Sequence, residues 1–440
     1  MPLIQPLLDG AYPTVTEAEG VFLVDSEGRR YLDGCSGAVT AGLGHGLSEI
    51  VDVMAEQARR VAFSYRLQFR NRPAEELAAL LEELAPGDVR WTFFVNSGSE
   101  ALETAQKMAV QYWREAGFPH KNVVLSRRLS YHGITLGALS LSGHRYRRRL
   151  FEPLLTKNAV VEPPYCYRCP RGKTYPECNL ACADDLERHI MLRGAGTIAA
   201  FAVEPVIGAA GGAIVPPSGY FQRVREICDR HDVLLIADEV MTAIGRTGAM
   251  FAMEHWGCTP DLIAVGKGMS AGYTPLAAAL ASDRLVQTIR AGSGAIMSGH
   301  TYSGNPLSCA VGLAVVRYVQ EHRLVERAAA VGPGLEVRLR GLQARHPLVG
   351  DVRGLGLMWG LELVADRDTR TPFPAEAQTT ACLVKAAQER GLLIYPALAG
   401  ADVRPGDAVI IAPPLTISEA ELDLLCNLLD QALGDAESRR

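Results

Sequence analysis

The chain has 440 residues, more than one ordinary hydrophobic core accommodates, and this length predicts two domains or one large α/β domain with a smaller one appended. Its 44 Lys and Arg residues against 49 Asp and Glu residues leave a formal charge of -5, which argues against nucleic acid and anionic membranes as partners and favours small molecules. The first residues contain neither a basic segment nor a long apolar run, so we expect no signal peptide and a cytoplasmic protein.

The first predicted elements are a hairpin, a helix, and a strand that leads into a second helix. Residues 20–33 form two apolar runs around a glycine turn, and residues 76–84 have helical apolar spacing. The strand-like run 89–95 precedes a loop of small residues and a helical face. Small residues at the start of a helix expose main-chain N–H groups that bind anions, so Gly98 and Ser99 are predicted phosphate ligands; a plain helix cap is the alternative.

A predicted loop with an aromatic residue follows the next strand. The apolar run 122–125 predicts that strand, and Tyr131 and Gly133 lie in the loop after it. An aromatic ring in such a loop can stack on a planar cofactor. A simple packing role is the alternative for a lone tyrosine.

Acidic residues follow two predicted buried strands. The apolar run 198–203 ends at Glu204, and the run 233–237 ends at Asp238 and Glu239. Glycine-flanked strands that alternate with helices predict a largely parallel sheet, whose carboxyl ends line one crevice. An acid beside a protonated pyridine nitrogen stabilises that cation, and we predict this role for Asp238. The alternative role, a cap for the following helix or loop, suits Glu239 better.

A lysine between two glycines follows another predicted buried strand. The strand is the apolar run Leu262–Val265, and the lysine is Lys267. Burial there would lower the lysine pKa, and such an amine can attack carbonyls and hold pyridoxal phosphate as a Schiff base, which arginine cannot do. A surface lysine is the alternative. The crevice is expected to bring together Lys267, Asp238, Glu204 and Asn96.

Ten cysteines in a chain without a secretion signal predict reduced thiols. Four of them are spaced as a four-thiolate zinc site could be. We favour the alternative, an ordered loop near the mouth of the crevice that holds no metal. The four are Cys166, Cys169, Cys178 and Cys182.

Beyond about residue 325 the pattern becomes typical of a compact α+β unit. Strands are predicted at 355–363 and 392–395. A final helix is predicted from Ser418, with Glu421 at the capping-box spacing, and residues 434–440 are expected to fray.

Together these motifs resemble the class III pyridoxal-phosphate-dependent aminotransferases over nearly the whole chain. The resemblance implies fold type I, an α/β fold with a large domain around a mainly parallel sheet and a small α+β domain formed by both chain ends. We expect residues 1–60 to begin the small domain, 61–324 to form the large domain, and 325–440 to complete the small one. The motifs stand in the family's order: Asn96-Ser97-Gly98-Ser99-Glu100-Ala101, Tyr131-His132-Gly133, Asp238-Glu239-Val240, Gly245-Arg246-Thr247-Gly248, Gly266-Lys267-Gly268 and His300-Thr301-Tyr302-Ser303-Gly304-Asn305-Pro306.

The resemblance also implies a homodimer, with a tetramer as the alternative, and a set of residue roles. Tyr131 would stack on one face of the cofactor ring, Val240 would pack on the other, and Thr301 would contact the phosphate of the partner subunit. Lys267 and Asp238 would be the catalytic residues. The whole cofactor site would comprise Gly98, Ser99, Tyr131, Gly133, Glu204, Asp238, Val240, Lys267 and Thr301.

Departures from the family pattern indicate which branch of the family the chain resembles. Ile134 and Met241 stand where members acting on ornithine-like or 4-aminobutyrate-like substrates tend to have a basic residue and a glutamine, so the chain resembles the amine-to-pyruvate, or omega, branch. Ala38 and Val39 lie where that branch often has a bulky aromatic residue, which predicts a roomier substrate pocket. Arg404 is a candidate partner for a substrate carboxylate, and a solvated loop arginine is its alternative.

The leading functional hypothesis is a transaminase that moves an amino group from an amine or amino-acid donor to a 2-oxo acid such as pyruvate, ping-pong through an internal aldimine at Lys267. The main alternative keeps the cofactor but breaks another bond, as a lyase, decarboxylase or epimerase does, because the same electron sink serves each reaction. A third hypothesis makes the four-cysteine segment a zinc module that binds macromolecules. The intact Lys267 and Asp238 argue against it.

Overall fold

The computed structural model describes residues 3–6, 8, 10, 12–157, 160–400 and 406–439, which form three β-sheets and the helices that cover them. The strands are β1 (Val15–Glu19), β2 (Phe22–Asp25), β3 (Arg30–Asp33), β4 (Val89–Val95), β5 (Val123–Arg127), β6 (Val160–Val161), β7 (Ile198–Val203), β8 (Leu234–Asp238), β9 (Leu262–Val265), β10 (Ala277–Ser282), β11 (Val349–Leu355), β12 (Met358–Leu363), β13 (Leu392–Leu393), β14 (Tyr395–Ala399) and β15 (Gly406–Ile411). The α-helices are α1 (Ser36–Val39), α2 (Ser48–Arg60), α3 (Arg72–Leu84), α4 (Gly98–Glu115), α5 (Leu136–Leu141), α6 (Arg145–Arg148), α7 (Ala181–Arg193), α8 (Tyr220–Arg230), α9 (Asp283–Ala291), α10 (Pro306–Glu321), α11 (Leu324–Arg345), α12 (Thr379–Glu389) and α13 (Glu419–Ser438). In the described part of the chain, none of the helices is both long and apolar enough to cross a membrane.

The largest sheet has seven strands in the order β4-β10-β9-β8-β7-β5-β6. β10 is antiparallel to both of its neighbours, and the other pairs are parallel. Connections between parallel strands place helices on both faces of a sheet, which is why β7, β9 and β10 are buried along their whole length. This mainly parallel sheet confirms the predicted α/β fold class.

Side chains of the parallel strands alternate between two hydrophobic cores on the two faces of the sheet. In β7, Phe201 and Val203 belong to one core, and Ala200 and Ala202 belong to the other. Helix α4 covers the alanine-lined face with small residues of its own, such as Ala105. Small side chains on both surfaces let this helix approach the sheet closely, so the start of α4 lies near the ends of the strands.

The two ends of the chain meet in a second sheet, ordered β1-β2-β3-β13. β13 is parallel to β3, with Leu392 opposite Leu32. A third sheet, β11-β12-β15-β14, is antiparallel throughout. The N-terminal and C-terminal segments therefore share a sheet, whereas domain boundaries at residues 60 and 324 stay a prediction.

The two strands predicted in the C-terminal region are each divided in the structure. β11 ends at Leu355 and β12 begins at Met358, so a hairpin turn interrupts the predicted strand 355–363. Gly356 in this turn has φ +55, and a Cβ atom there would lie 2.4 Å from the main-chain carbonyl carbon of Thr247. The chain reverses where only glycine fits. The run 392–395 is likewise divided between β13 and β14, which belong to different sheets.

The last helix begins as predicted but extends farther. Ser418 and Glu421 form the predicted capping box, but α13 continues to Ser438, so the expectation that residues 434–440 fray is wrong for its described part. Glu437 Oε2 lies 3.0 Å from Nδ1 of His346, and its Oε1 accepts a hydrogen bond from the main-chain N–H of Leu348 at 3.2 Å. These contacts with the segment after α11 stabilise the final turn.

Candidate active site

A cavity of about 150 Å³ lies at the carboxyl edge of the seven-stranded sheet. Parallel strands end at the same edge, so the segments after β9, β8 and β7 meet there. The loop after β5 and the start of α4 complete the wall. The cavity is lined by Gly98, Ser99, Tyr131, His132, Gly133, Glu204, Val206, Asp238, Val240, Met241 and Lys267. The structure thus brings together every residue predicted for the cofactor site except Thr301.

Lys267 enters this cavity just after the end of β9. Its main chain has φ +42, a left-handed conformation that costs a residue with a Cβ atom about 1–3 kcal/mol and that concentrates at functional sites. Burial lowers the pKa of Lys267 to about 8; the positive charge of Arg147 adds to this shift, and Asp238 and Glu204 oppose it. A useful fraction of the amine is therefore unprotonated near neutral pH, which makes it a nucleophile towards carbonyl carbon.

The pH dependence of amine reactivity should reveal the lowered pKa of Lys267. The cofactor-free protein can be labelled competitively with trace acetic anhydride. Labelling of Lys267 should increase with pH, and the midpoint of the increase should lie near pH 8, because only the unprotonated amine reacts. Peptide mapping at each pH measures the labelled fraction. A midpoint at about 10.4, the pKa of an ordinary lysine, would show that the site does not activate this amine.

Asp238 is held in place by His132. Asp238 Oδ2 lies 2.8 Å from Nδ1 of His132, and Oδ1 accepts a hydrogen bond from the main-chain N–H of Val240 at 3.2 Å. The His132 side chain is fully buried, and its Nε2 has no hydrogen-bond partner among the described residues. His132 has no role in the sequence-based prediction. Its place inside the Tyr131–Gly133 motif is the one signal that could have drawn attention to it.

Two further buried acids bind main-chain groups. Glu204 lines the cavity and accepts hydrogen bonds from the N–H groups of Tyr131, at 2.9 Å, and Gly208, at 3.0 Å; burial raises its pKa. Glu239 accepts from the first two N–H groups of the 3-10 helix Ala252–Trp256, each at 2.9 Å, and burial raises its pKa to about 7. Glu204 therefore positions the Tyr131 loop, and the capping role predicted for Glu239 is confirmed.

The start of α4 offers two main-chain donors to an anion. Ser97 caps the helix by accepting a hydrogen bond from the N–H of Glu100 at 3.3 Å, and the first main-chain bond of the helix comes from the N–H of Ala101. The N–H groups of Gly98 and Ser99 precede that bond, and both residues line the cavity. They lie at the positive end of the helix dipole, where anions bind. The helix cap is therefore made by Ser97, and the phosphate role of Gly98 and Ser99 stays a prediction.

Two glycines allow the cavity walls to approach each other. A Cβ atom at Gly98 would lie 2.8 Å from Cγ1 of Val240. Gly133 has φ +131, and a Cβ atom there would lie 2.4 Å from Oγ of Ser99, which already accepts a hydrogen bond from the N–H of Ile134 at 3.0 Å. Any larger residue at either position would displace the start of α4 from its neighbours.

Five predicted residues are not part of the observed lining, and three of them are Asn96, Thr301 and Arg404. Asn96 instead donates from its main-chain N–H and its Nδ2 to Oε2 of Glu100, at 2.7 and 3.0 Å, and so stabilises the turn before α4. Thr301 is exposed, and its contact with the cofactor of a partner subunit stays a prediction. Arg404 lies outside the described residues.

The two residues predicted for the substrate side lie in different surroundings, and only Val39 lies behind the cavity wall. Val39 is buried in a hydrophobic cluster with Val206 and Met241, both of which line the cavity. Ala38 is exposed. Neither residue lines the cavity itself, so the predicted roomier pocket stays a prediction.

The four-cysteine segment packs beside the active-site cavity. Its first aromatic residues, Tyr165 and Tyr167, share a hydrophobic cluster with Tyr131. Within the described residues, which include all four cysteines, no three His, Cys, Asp or Glu side chains are arranged to hold a metal ion. A separate cavity of about 20 Å³ has four free cysteines among its lining residues, namely Cys166, Cys169, Cys178 and Cys182.

Elemental analysis tests whether the cysteine segment binds metal. Protein purified without added metal should contain far less than one zinc per chain, because the large core stabilises the fold without a structural metal. The double variant Cys166→Ser, Cys178→Ser should keep the metal content and melting temperature of the wild type. About one zinc per chain, with activity lost on chelation, would instead establish a zinc site.

Comparison with known families agrees with this geometry. The model of the family described as aminotransferase class-III matches residues 9–433. The chain therefore belongs to the class-III aminotransferases, which are pyridoxal-phosphate-dependent enzymes. This membership confirms the family predicted from the motifs.

Individual relatives agree with the predicted branch and fold. An uncharacterised aminotransferase of Bacillus subtilis, YodT, is 49% identical over 435 residues, which cover 99% of this chain and 98% of that protein. The putrescine–pyruvate aminotransferase of Pseudomonas aeruginosa is 36% identical over 422 residues, which cover 95% of this chain and 90% of that protein. An amine transaminase from an uncultivated Pseudomonas species, solved in its PLP-bound internal aldimine form, is 36% identical with a TM-score of 0.92 and covers 99% of this chain and 98% of its own. These similarities confirm fold type I, and the relatives include transaminases of the predicted amine–pyruvate-like branch.

Proposed function

We propose that the protein is a transaminase that binds pyridoxal phosphate and moves an amino group from an amine or amino-acid donor to a 2-oxo acid such as pyruvate. The observation that carries this proposal is the Lys267 amine, whose pKa is lowered to about 8, in one cavity with Asp238 and the first N–H groups of α4. The relative that acts on putrescine and pyruvate supports the choice of donor and acceptor class.

The residues around the cavity fit pyridoxal phosphate. The N–H groups of Gly98 and Ser99 would bind the phosphate. Tyr131 and Val240 would contact the two faces of the ring, and the Lys267 amine would bond to the aldehyde carbon. When bound, the cofactor supplies an electron sink that stabilises negative charge on the substrate carbon.

The remaining steps belong to side chains of this chain. Lys267 removes a proton from the donor carbon and delivers one to the acceptor, because a group with a pKa of about 8 serves as both base and acid near neutral pH. Asp238, fixed by His132, keeps a proton on the ring nitrogen. Thr301 would complete the phosphate site of the partner subunit in a homodimer.

The two half-reactions test this function separately. Protein loaded with pyridoxal phosphate and mixed with putrescine, without acceptor, should lose the absorbance of the cofactor aldehyde and release an aldehyde product. Added pyruvate should restore the absorbance and yield one alanine per amino group. With an amino acid in place of putrescine, release of carbon dioxide or ammonia, or inversion of that amino acid, would instead assign the chain to the decarboxylase, lyase or epimerase alternative.

A further inference from the structure

The short helix α6 places adjacent arginines in different surroundings. Arg148 is held by the protein: its Nη1 donates to the carbonyl oxygens of residues 139, 140 and 142, and its Nε lies 3.0 Å from a carboxylate oxygen of Glu152. Arg147 is exposed, and no carboxylate among the described residues forms an ion pair with it. The guanidinium of Arg147 is therefore available to an external anion.

Arg147 lies against the wall of the active-site cavity. Its Cζ is 4.9 Å from the centroid of the Tyr131 ring. Tyr131 lines the cavity that contains Lys267, and its main-chain N–H is held by Glu204 at 2.9 Å. A guanidinium stacked on an aromatic face keeps the N–H donors along its edges free to form paired hydrogen bonds.

The charge of Arg147 acts on two groups near the site, Lys267 and Tyr395. The charge adds to the burial that lowers the pKa of Lys267, and it opposes the burial that raises the pKa of Tyr395. Lys267 follows β9 of the large sheet, whereas Tyr395 begins β14 of the third sheet. Arg147 therefore lies within electrostatic range of residues at both the large sheet and the third sheet.

We propose that Arg147 binds the carboxylate of amino-acid donors and 2-oxo acid acceptors beside the Lys267 cavity. The proposal rests on the transaminase function, which supplies both ligands. A carboxylate matches the paired donors of a guanidinium in geometry and in charge. The acids Asp238 and Glu204 line the same cavity, so a negatively charged substrate needs a nearby cation to offset their repulsion.

Pairs of substrates that differ only in the carboxylate test this role. Pyruvate and acetaldehyde are matched acceptors, and alanine and ethylamine are matched donors. In Arg147→Gln, kcat/KM should fall about tenfold to a hundredfold for pyruvate and alanine, because a charge-assisted hydrogen-bonded pair is lost, and should change little for acetaldehyde and ethylamine. Arg147→Lys should lose less, and Arg149→Gln, at an exposed neighbouring position, should keep wild-type values.

A binding measurement tests the same contact without turnover. Propanoate has the carboxylate but neither the amine nor the carbonyl group, and calorimetry should show its affinity for the cofactor-loaded protein falling by a similar factor in Arg147→Gln. Equal losses for both members of each pair would show a structural role in supporting Tyr131, and unchanged propanoate affinity would overturn the proposal. Failure of the transaminase function would appear separately, as wild-type protein that binds propanoate through Arg147 but transfers no amino group.

Discussion

The substitution Lys267→Ala should abolish amino-group transfer and leave a folded protein. The rate should fall by at least about four orders of magnitude, since both the covalent attachment of the cofactor and the proton transfers depend on this one amine. The fold should persist because the side chain lies at the edge of the sheet, and its removal leaves the buried strand β9 intact. Steady-state kinetics with pyruvate measures the loss, and circular dichroism with a melting curve measures the fold.

A surface lysine provides the matched control for this experiment. Lys385 is exposed, with its Nζ 4.0 Å from Glu389 on the same helix. Lys385→Ala also removes one lysine amine from the chain, but this variant should keep the wild-type rate and the yellow colour of the bound cofactor. Appreciable turnover by Lys267→Ala in the presence of pyridoxal phosphate would refute the catalytic assignment.

The substitution Asp238→Asn should keep the cofactor bound but lower turnover by about 10²–10³-fold, the range observed when one group that stabilises developing charge is removed. Asparagine matches the size of aspartate and can still bond to His132 and Val240, so the local geometry should be preserved. Its neutral amide, however, cannot stabilise a proton on the ring nitrogen, and the ring becomes a poorer electron sink. Kinetics and the cofactor content of the purified variant measure the two effects independently.

The neighbouring acid provides a control for the effect of charge at Asp238. Glu239 is equally buried, but it binds main-chain N–H groups and does not line the cavity. Glu239→Gln should lower stability by about 1–3 kcal/mol, because an amide cannot accept all of those bonds, while the folded fraction keeps its turnover. Wild-type turnover in Asp238→Asn would show that Asp238 does not stabilise the proton on the ring nitrogen.

Strands buried on both faces were predictable from the sequence because they contain continuous apolar residues. The predicted bounds 198–203 and 262–265 agree with those of β7 and β9. Because Glu204, Asp238 and Lys267 each follow a predicted parallel strand, the sequence alone predicted that they lie at the same edge of the sheet. A continuous apolar run is visible in the local sequence, so these strands can be predicted without knowing which distant residues they contact.

Features that depend on contacts distant in sequence were not predictable in the same way. The final helix turn persists because Glu437 meets His346, which lies 91 positions earlier. His132 acts through Asp238, and the hydrogen bond between them joins residues 106 positions apart. Arg147 differs from the arginines around it only in what surrounds it. Such roles follow from tertiary contacts, which local patterns do not encode.

Reduction of the cofactor-loaded protein with borohydride, followed by peptide mapping, tests the central claim most directly. Borohydride converts the bond between a lysine amine and pyridoxal phosphate into a stable one, so the modified peptide identifies the lysine that holds the cofactor. We expect one pyridoxyl group per chain, in the peptide that contains Lys267. A pyridoxyl group on any other lysine, or none on a protein that carries out the transfer, would contradict the account.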